Sequence, residues 1–495
     1  MKNDDIDVVV VGGGNAALCA ALSARENGAN VVVLERAPEE QRGGNSSFTQ
    51  GAMRFVYDSP EEIYKLVPDL SAEEIANTDF GTYTEERFFD DLFRVTQFRT
   101  DPNLAEVLIK RSNEQLHWMR RQGVRFLPAY KHAPKVQGKF RFSAGSTLAV
   151  AGAGPGLVNS LYAAAKRAGV DVVYNASVRS LLHDDDGVHG VVVSIDGKTT
   201  RIRSPAVVLA CGGFQSNAEW RTKYLGAGWD LVKVRGTRFN TGDGIRMALE
   251  IGAQSFGNWS SAHAVPWDLN APPYGDISTG EGFSKLSYHC GIMINAEGKR
   301  FIDEGADFIN FTYAKYGKII LAQPGQFAWQ IFDSKVLNSL RGSYRIKQAT
   351  RVRANSLQQL ADKLEGVNKA QFLKTVAEFN AAVKQDVPFN PSIRDARGTA
   401  GLEIPKSNWA NTISEGPFEA YAVTCGITFT FGGLKITTQA EVVDTEDKPI
   451  RGLYAAGELV GGVFYFNYPG GSGLMNGTVF GRIAGINATN FSRQG

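Results

Sequence analysis

The densest hydrophobic pattern lies near the start of the chain, where four consecutive valines, residues 8–11, run into Gly12. A strand exposed on one face alternates apolar and polar residues, so an unbroken β-branched run predicts a strand covered on both faces. A glycine triplet forms a turn after it, and residues 16–27 carry an alanine-rich helical pattern. Residues 31–34, Val-Val-Val-Leu, repeat the buried-strand pattern and end at Glu35. The strand-then-glycine pattern returns at 206–214 and at 452–458. Between these, residues 61–127 read as mostly helical, with Leu92, Val95, Leu104, Leu108 and Leu116 near helical spacing. Residues 152–168 read as a helix, and 170–174 and 188–193 as strands. From about 258 to 428 the pattern changes to mixed aromatic, polar and helical segments.

The first turn also carries chemistry. Gly12, Gly14 and Ala17 occupy the three small positions of a dinucleotide-binding fingerprint: one for the turn, one for close approach of a pyrophosphate, one for helix against strand. Asn15 and Ala16 open the helix, whose free N–H groups suit phosphate oxygens. Glu35, followed by Arg36, comes 21 residues after Gly14. A carboxylate there accepts hydrogen bonds from ribose hydroxyls and disfavours a 2′-phosphate.

Composition narrows the class. A chain of 495 residues with 43% hydrophobic content can fill two or three domains. Its 53 basic and 51 acidic residues leave a formal charge of +2 without long runs, so no nucleic-acid partner or membrane-attracting patch is indicated. No apolar stretch approaches the ~18 to 20 residues of a transmembrane segment. The first strand follows Ile6 so closely that no room remains for a signal peptide ahead of it. Cys19, Cys211, Cys290 and Cys425 lie far apart without metal-ligand or haem spacing, so no metal site is expected and a reducing cytoplasm suits them.

Residues 42–51 read Arg-Gly-Gly-Asn-Ser-Ser-Phe-Thr-Gln-Gly, a small-residue backbone able to lie against a flat ring. With its glycine pair, Ser-x-Thr and further glycine, this stretch resembles the segment under the isoalloxazine in the fumarate reductase and succinate dehydrogenase flavoprotein family. The resemblance implies an α/β fold: a Rossmann-like, GR2-type FAD-binding domain of residues 1–257 and 429–495, with a helical insertion at about 60–127 and an inserted α+β capping domain at 258–428. It also implies FAD contacts from Gly43, Gly44, Asn45, Ser46, Thr49 and Gly51. Family members with covalent flavin carry histidine before that threonine. This chain has Phe48, so the implied FAD is non-covalent.

Further cofactor contacts follow from the same resemblance. Val178 lies among the strands added to the sheet, and Cys211, Gly212 and Gly213 fall where a glycine pair lies near the pyrophosphate. Asp243 can cap a helix and serve as a polar neighbour of FAD. Gly457 and Glu458 match the acid that binds the ribityl chain. Ser472, Gly473 and Leu474 begin a helix whose positive end can face the flavin ring.

For catalysis, the run Met293 to Glu304 matches a family hairpin in which Arg300 and Glu304 form a structural ion pair. Four residues beyond that glutamate the family carries a proton-delivering arginine or a proton-removing tyrosine, and here stands Phe308. Tyr313, near Lys315, is then the leading proton-handling residue, with Tyr288 and His289 ahead of the hairpin. His263 falls where fumarate reductases bind a substrate carboxylate. Their histidine and arginine clamp positions hold Phe429 and Tyr468, leaving Arg54 and Arg238 as possible replacements.

Tyr-Pro-Gly at 468–470 is similar to 3-ketosteroid dehydrogenases, which implies that Tyr468 and the Ser472 backbone polarise a substrate carbonyl. Over its full length the chain resembles the tricarballylate dehydrogenase group, departing from it at 48–53. The implied activity is a dehydrogenase that introduces a carbon–carbon double bond beside a carbonyl or carboxyl group of a small-molecule substrate. Two alternatives stand beside it: reduction of an activated alkene, and flavin binding without catalysis. The electron acceptor stays open among a quinone, oxygen and an electron-transfer protein.

Overall fold

The computed structural model describes residues 6–142 and 145–494. A six-stranded sheet runs in the order Glu441–Val443, Pro449–Ala455, Ala206–Leu209, Val8–Val11, Val31–Leu34, Asp171–Val173. The last five are parallel, and Glu441–Val443 joins the edge antiparallel. Val8–Val11 and Val31–Leu34 are buried along their whole length, as their unbroken apolar runs require. The carboxyl ends of these strands open onto the glycine turns, which is where parallel α/β sheets bind ligands.

The first helix, Asn15–Glu26, packs against the last, Ser472–Ser492, through a stripe of small residues. A Cβ on Gly481 would lie 2.5 Å from the Ala16 carbonyl oxygen, and one on Gly485 would lie 2.2 Å from that of Ala20. Close backbone approach follows, and Asn15 uses it to donate from Nδ2 to the Leu474 carbonyl and to Thr478 Oγ1, each at 3.0 Å. The two ends of the chain are thereby joined above the sheet.

The insertion is helical over Pro60–Leu66, Ala72–Ala76, Glu85–Val95 and Pro102–Arg121. A second sheet carries the cap, built around the antiparallel pair Ser255–Asp268 and Phe418–Leu434. Both strands run across the positions, 258 and 428, at which the sequence pattern changes. The cap has its own core, in which Ile292, Ile294, Ile331, Phe372 and Phe379 pack together. Among the described residues no helix is long and apolar enough to cross a membrane.

Candidate active site

One cavity extends from the glycine turn of the first strand to the cap. Gly12, Gly14, Asn15 and Ala16 line its near end, with Glu35 and Arg36 beside them. Gly44, Asn45, Ser46, Thr49 and Gly51 line it as well, as do Cys211, Gly212, Asp243 and Val178. Gly457, Glu458, Gly473 and Leu474 also belong to its lining.

The fit to a dinucleotide is testable at the glycines. Gly12 has φ +110°, and a Cβ there would lie 2.5 Å from the Ala210 carbonyl oxygen, so the turn itself demands glycine. Gly14 differs: an added Cβ meets nothing closer than Ser46 Oγ at 3.4 Å. The protein leaves that space open toward the cavity. Two carboxylates line the same cavity. Glu35 Oε1 accepts from the Ala37 N–H at 2.7 Å, and Glu458 accepts from the Thr430 N–H at 3.1 Å and from Gln215 and Asn240 side chains at 3.2 Å. Burial pushes both carboxyls up to about 7 despite these donors. Desolvated acids beside glycine turns and helix N-termini suit a ligand with sugar hydroxyls and phosphates. FAD offers both.

Several residues sit elsewhere than the sequence suggested. Asp243 does not cap its helix: Gly242 holds the N-cap position, and the Asp243 carboxylate accepts from Arg36 Nη1 at 2.7 Å and Thr241 Oγ1 at 2.5 Å. Ala17, Gly43 and Gly213 are off the cavity wall. Ala17 is buried in the core, a Cβ on Gly43 would meet Ser47 Oγ and Val158, and one on Gly213 would meet Thr430 and Glu458 from behind. Ser472 is also off the wall, because its N–H is bonded to the Pro469 carbonyl at 3.2 Å and its hydroxyl donates to the same oxygen. Gly473 and Leu474 line the cavity there, and their N–H groups lie in the first helical turn, where no partner within the helix is available.

At the cap end, Tyr313 and Tyr468 line the cavity and their hydroxyls are hydrogen-bonded to each other. Tyr313 opens the helix Tyr313–Leu321. Tyr468 is held against it by two hydrogen bonds from its neighbours, Gly470 N–H to the Asn310 carbonyl at 2.8 Å and the Asn467 side-chain Nδ2 to the Phe311 carbonyl at 2.7 Å. Burial raises the pKa of both phenols, well above the ordinary value for Tyr313, so both are protonated at neutral pH.

His263 is paired in register with Phe429 and lies behind this pair rather than in the cavity. Its ring stacks on Phe429 at 5.1 Å and meets the edges of Tyr313 and Tyr468 at 5.0 and 4.9 Å. Neither ring nitrogen has a hydrogen-bond partner, and burial followed by the nearby Arg235 charge holds it neutral. Its ring packs against both tyrosines of the pair. Tyr288 and His289 are likewise off the wall. Tyr288 is fully buried with its hydroxyl on Thr312 Oγ1 at 2.6 Å, while His289 packs on Trp409 and burial lowers its pKa to about 3. Phe308 also packs on Trp409, at 5.6 Å. Arg300 and Glu304 form the buried ion pair of the hairpin, at 2.5 Å, and Glu304 also accepts from the Met293 N–H at 2.8 Å.

Sequence reasoning missed the cationic wall. Arg235 lines the cavity, donates to Thr428 Oγ1 at 3.1 Å, and is ion-paired with Glu281, which also accepts from Gln50. Burial works against its charge, but Glu281 together with Tyr313 and Tyr468 more than offsets this. Arg341 lines the cavity as well. Arg54 is fully buried behind the site, donating to the Gly470 carbonyl at 2.9 Å and to Tyr83, with Asp91 at 3.7 Å. The helical insertion, which supplies Tyr83 and Asp91, therefore steadies the loop that carries Tyr468. Arg238 is exposed and stacks on Phe239.

This geometry defines a flavoprotein oxidoreductase site, and comparison with known proteins agrees. Residues 7–474 match the FAD binding domain family, and the chain belongs to it, within the fumarate reductase and succinate dehydrogenase flavoproteins. A probable fumarate reductase from Shewanella frigidimarina is 31% identical over 98% of this chain and 75% of its own. A 3-oxosteroid 1-dehydrogenase from Mycolicibacterium smegmatis is 25% identical over 98% of this chain and 97% of its own. The open conformation of a flavocytochrome c3 fumarate reductase superimposes with a TM-score of 0.73 at 29% identity, covering 99% of this chain and 78% of that one. A 3-ketosteroid delta1-dehydrogenase from Sterolibacterium denitrificans shares the fold, with a TM-score of 0.74 at 20% identity over 98% of this chain and all of that one. The protein is an FAD-dependent oxidoreductase acting on CH–CH groups.

Proposed function

We propose that this protein moves a hydride and a proton across a carbon–carbon bond next to a carbonyl or carboxyl group, with Tyr313 and Tyr468 handling the proton. The observation that carries this reading is the hydroxyl pair on the wall of the FAD cavity. FAD, when bound along the glycine turns, supplies the hydride chemistry. Tyr468 donates a hydrogen bond to the activating oxygen, which stabilises enolate charge as it develops. Tyr313 exchanges the proton at the adjacent carbon.

Two protonated phenols favour reduction of an activated alkene, since each can donate and neither begins as a base. A reduced donor must then reload the flavin. Dehydrogenation, the direction named for the 3-oxosteroid relative, is the second reading and is supported by the Tyr-Pro-Gly sequence at 468–470. A substrate as highly charged as tricarballylate fits less well, because the cationic wall has one arginine without a carboxylate partner. The test is anaerobic. Reduced flavin in the protein should be reoxidised by α,β-unsaturated carbonyl or carboxyl compounds, or oxidised flavin bleached by their saturated forms. Absence of either with a broad panel would leave a protein that binds flavin without catalysis.

A further inference from the structure

Arg341 stands out because its backbone is fixed while its charge is unanswered. Its N–H donates to Ser287 Oγ at 3.1 Å. In the turn that follows, the Ser343 carbonyl accepts from Lys285 Nζ at 3.0 Å, and the Tyr344 hydroxyl accepts from the Ser287 N–H at 2.7 Å and donates to Gln330 at 2.6 Å. The side chain lines the cavity beside Leu286 and Tyr313. Among the described residues its guanidinium makes no ion pair and no hydrogen bond, in contrast to Arg235, which is neutralised by Glu281. Burial disfavours its charge and outweighs the neighbouring polar groups, of which Glu281, the one carboxylate among them, contributes least and makes no ion pair with it. A desolvated cation with five donors and no acceptor is costly until a ligand supplies one.

We propose that Arg341 is a substrate-binding residue that receives a carboxylate as a bidentate pair, so that the substrate is an organic acid carrying a single carboxylate at the cap end of the cavity. The planar fork matches a carboxylate, and the fixed turn behind it means that little order is lost on pairing. The charge balance agrees: at the cap end Arg235 and Glu281 cancel, which leaves one positive charge. This inference rests on the function proposed above only for the location of the substrate.

The test uses FAD-loaded protein and paired probes, crotonate against crotonamide and cinnamate against cinnamamide, titrated by perturbation of the flavin spectrum and by calorimetry. Each acid should bind at least about tenfold more tightly than its amide. Arg341→Gln should bring the pair to within about twofold with flavin content unchanged and Tm unchanged or raised, and Arg341→Lys, which keeps the charge but not the fork, should fall between. The proposal is overturned if the parent does not distinguish acid from amide, or if Arg341→Gln retains the preference. Binding and turnover separate the two readings. Acids bound through Arg341 that never exchange electrons with the flavin would remove the proposed function and keep this site, whereas enoates turned over equally by Arg341→Gln would do the reverse.

Discussion

The hydroxyl of Tyr313 meets that of Tyr468 across 155 residues of chain, and the contact places two phenols on one wall of the FAD cavity. If Tyr468 polarises the substrate oxygen, Tyr468→Phe removes a hydrogen bond that strengthens as charge develops, lowering kcat by roughly 10² to 10³. Tyr313→Phe removes the proton donor and should cost about 10² to 10⁴. Because the two act as a unit, the double variant should be far less impaired than the product of the two losses. Both single variants keep the ring, so flavin content should match the parent. Activity of Tyr468→Phe within about threefold of the parent would reduce that residue to packing.

The glycine turn separates folding from cofactor binding. Gly14 has φ −83° and an added Cβ meets only ordinary contacts in the protein, so Gly14→Val should fold and lose FAD. At Gly12, φ is +110° and the Cβ would overlap the Ala210 carbonyl, so Gly12→Val should fold poorly with or without flavin. Far-ultraviolet circular dichroism and bound-flavin absorbance together distinguish the two. In the parent, acid precipitation should release the flavin into the supernatant, since Phe48 has no atom with which to form a covalent link.

The parts legible in the sequence were the local ones. Val8–Val11, its glycine turn and Glu35 lie within one stretch, and each residue type states its own requirement for burial, turn or hydrogen bonding. Arg341 and the Arg235–Glu281 pair were not legible, because nothing near either arginine in sequence marks it, and their meaning depends on which charges the fold leaves paired. His263 shows the opposite failure. Its local setting reads as a binding residue, but register pairing with Phe429, 166 residues away, covers the ring. Ser472 fails similarly, because its N–H is taken by a carbonyl three residues before it.

Glu35 gives a pH dependence with a definite sign. Its carboxyl rises from an ordinary 4.5 to about 7 through burial, so between these values the folded state binds more protons than the unfolded one. This contribution to stability is complete below about pH 4.5 and is lost as the pH rises through about 7. Glutamine stands in for the neutral acid, so FAD-free Glu35→Gln should match the FAD-free parent near pH 4.5 and exceed it at pH 8, by a margin on the order of 3 kcal/mol at most. Denaturant midpoints of the two proteins measured across that range provide the check. A constant difference between them would mean that Glu35 is ionised in the folded protein throughout.

Fumarate is the sharpest probe of the cationic wall. Phe429 and Tyr468 offer no charge, Arg235 is committed to Glu281, and Arg54 is committed to Gly470, Tyr83 and Asp91. Arg341 can then pair with one carboxylate and leave the other desolvated, at a cost of several kcal/mol. The monoamide of fumarate should therefore have a kcat/KM about 10² to 10³ above that of fumarate. Glu281→Gln releases Arg235 beside the same cavity, so it should raise kcat/KM for fumarate while leaving the monoamide within a few-fold of its parent value. Fumarate turnover by the parent at about 10 per second or more, unchanged by Glu281→Gln, would show that a second cation already reaches the substrate.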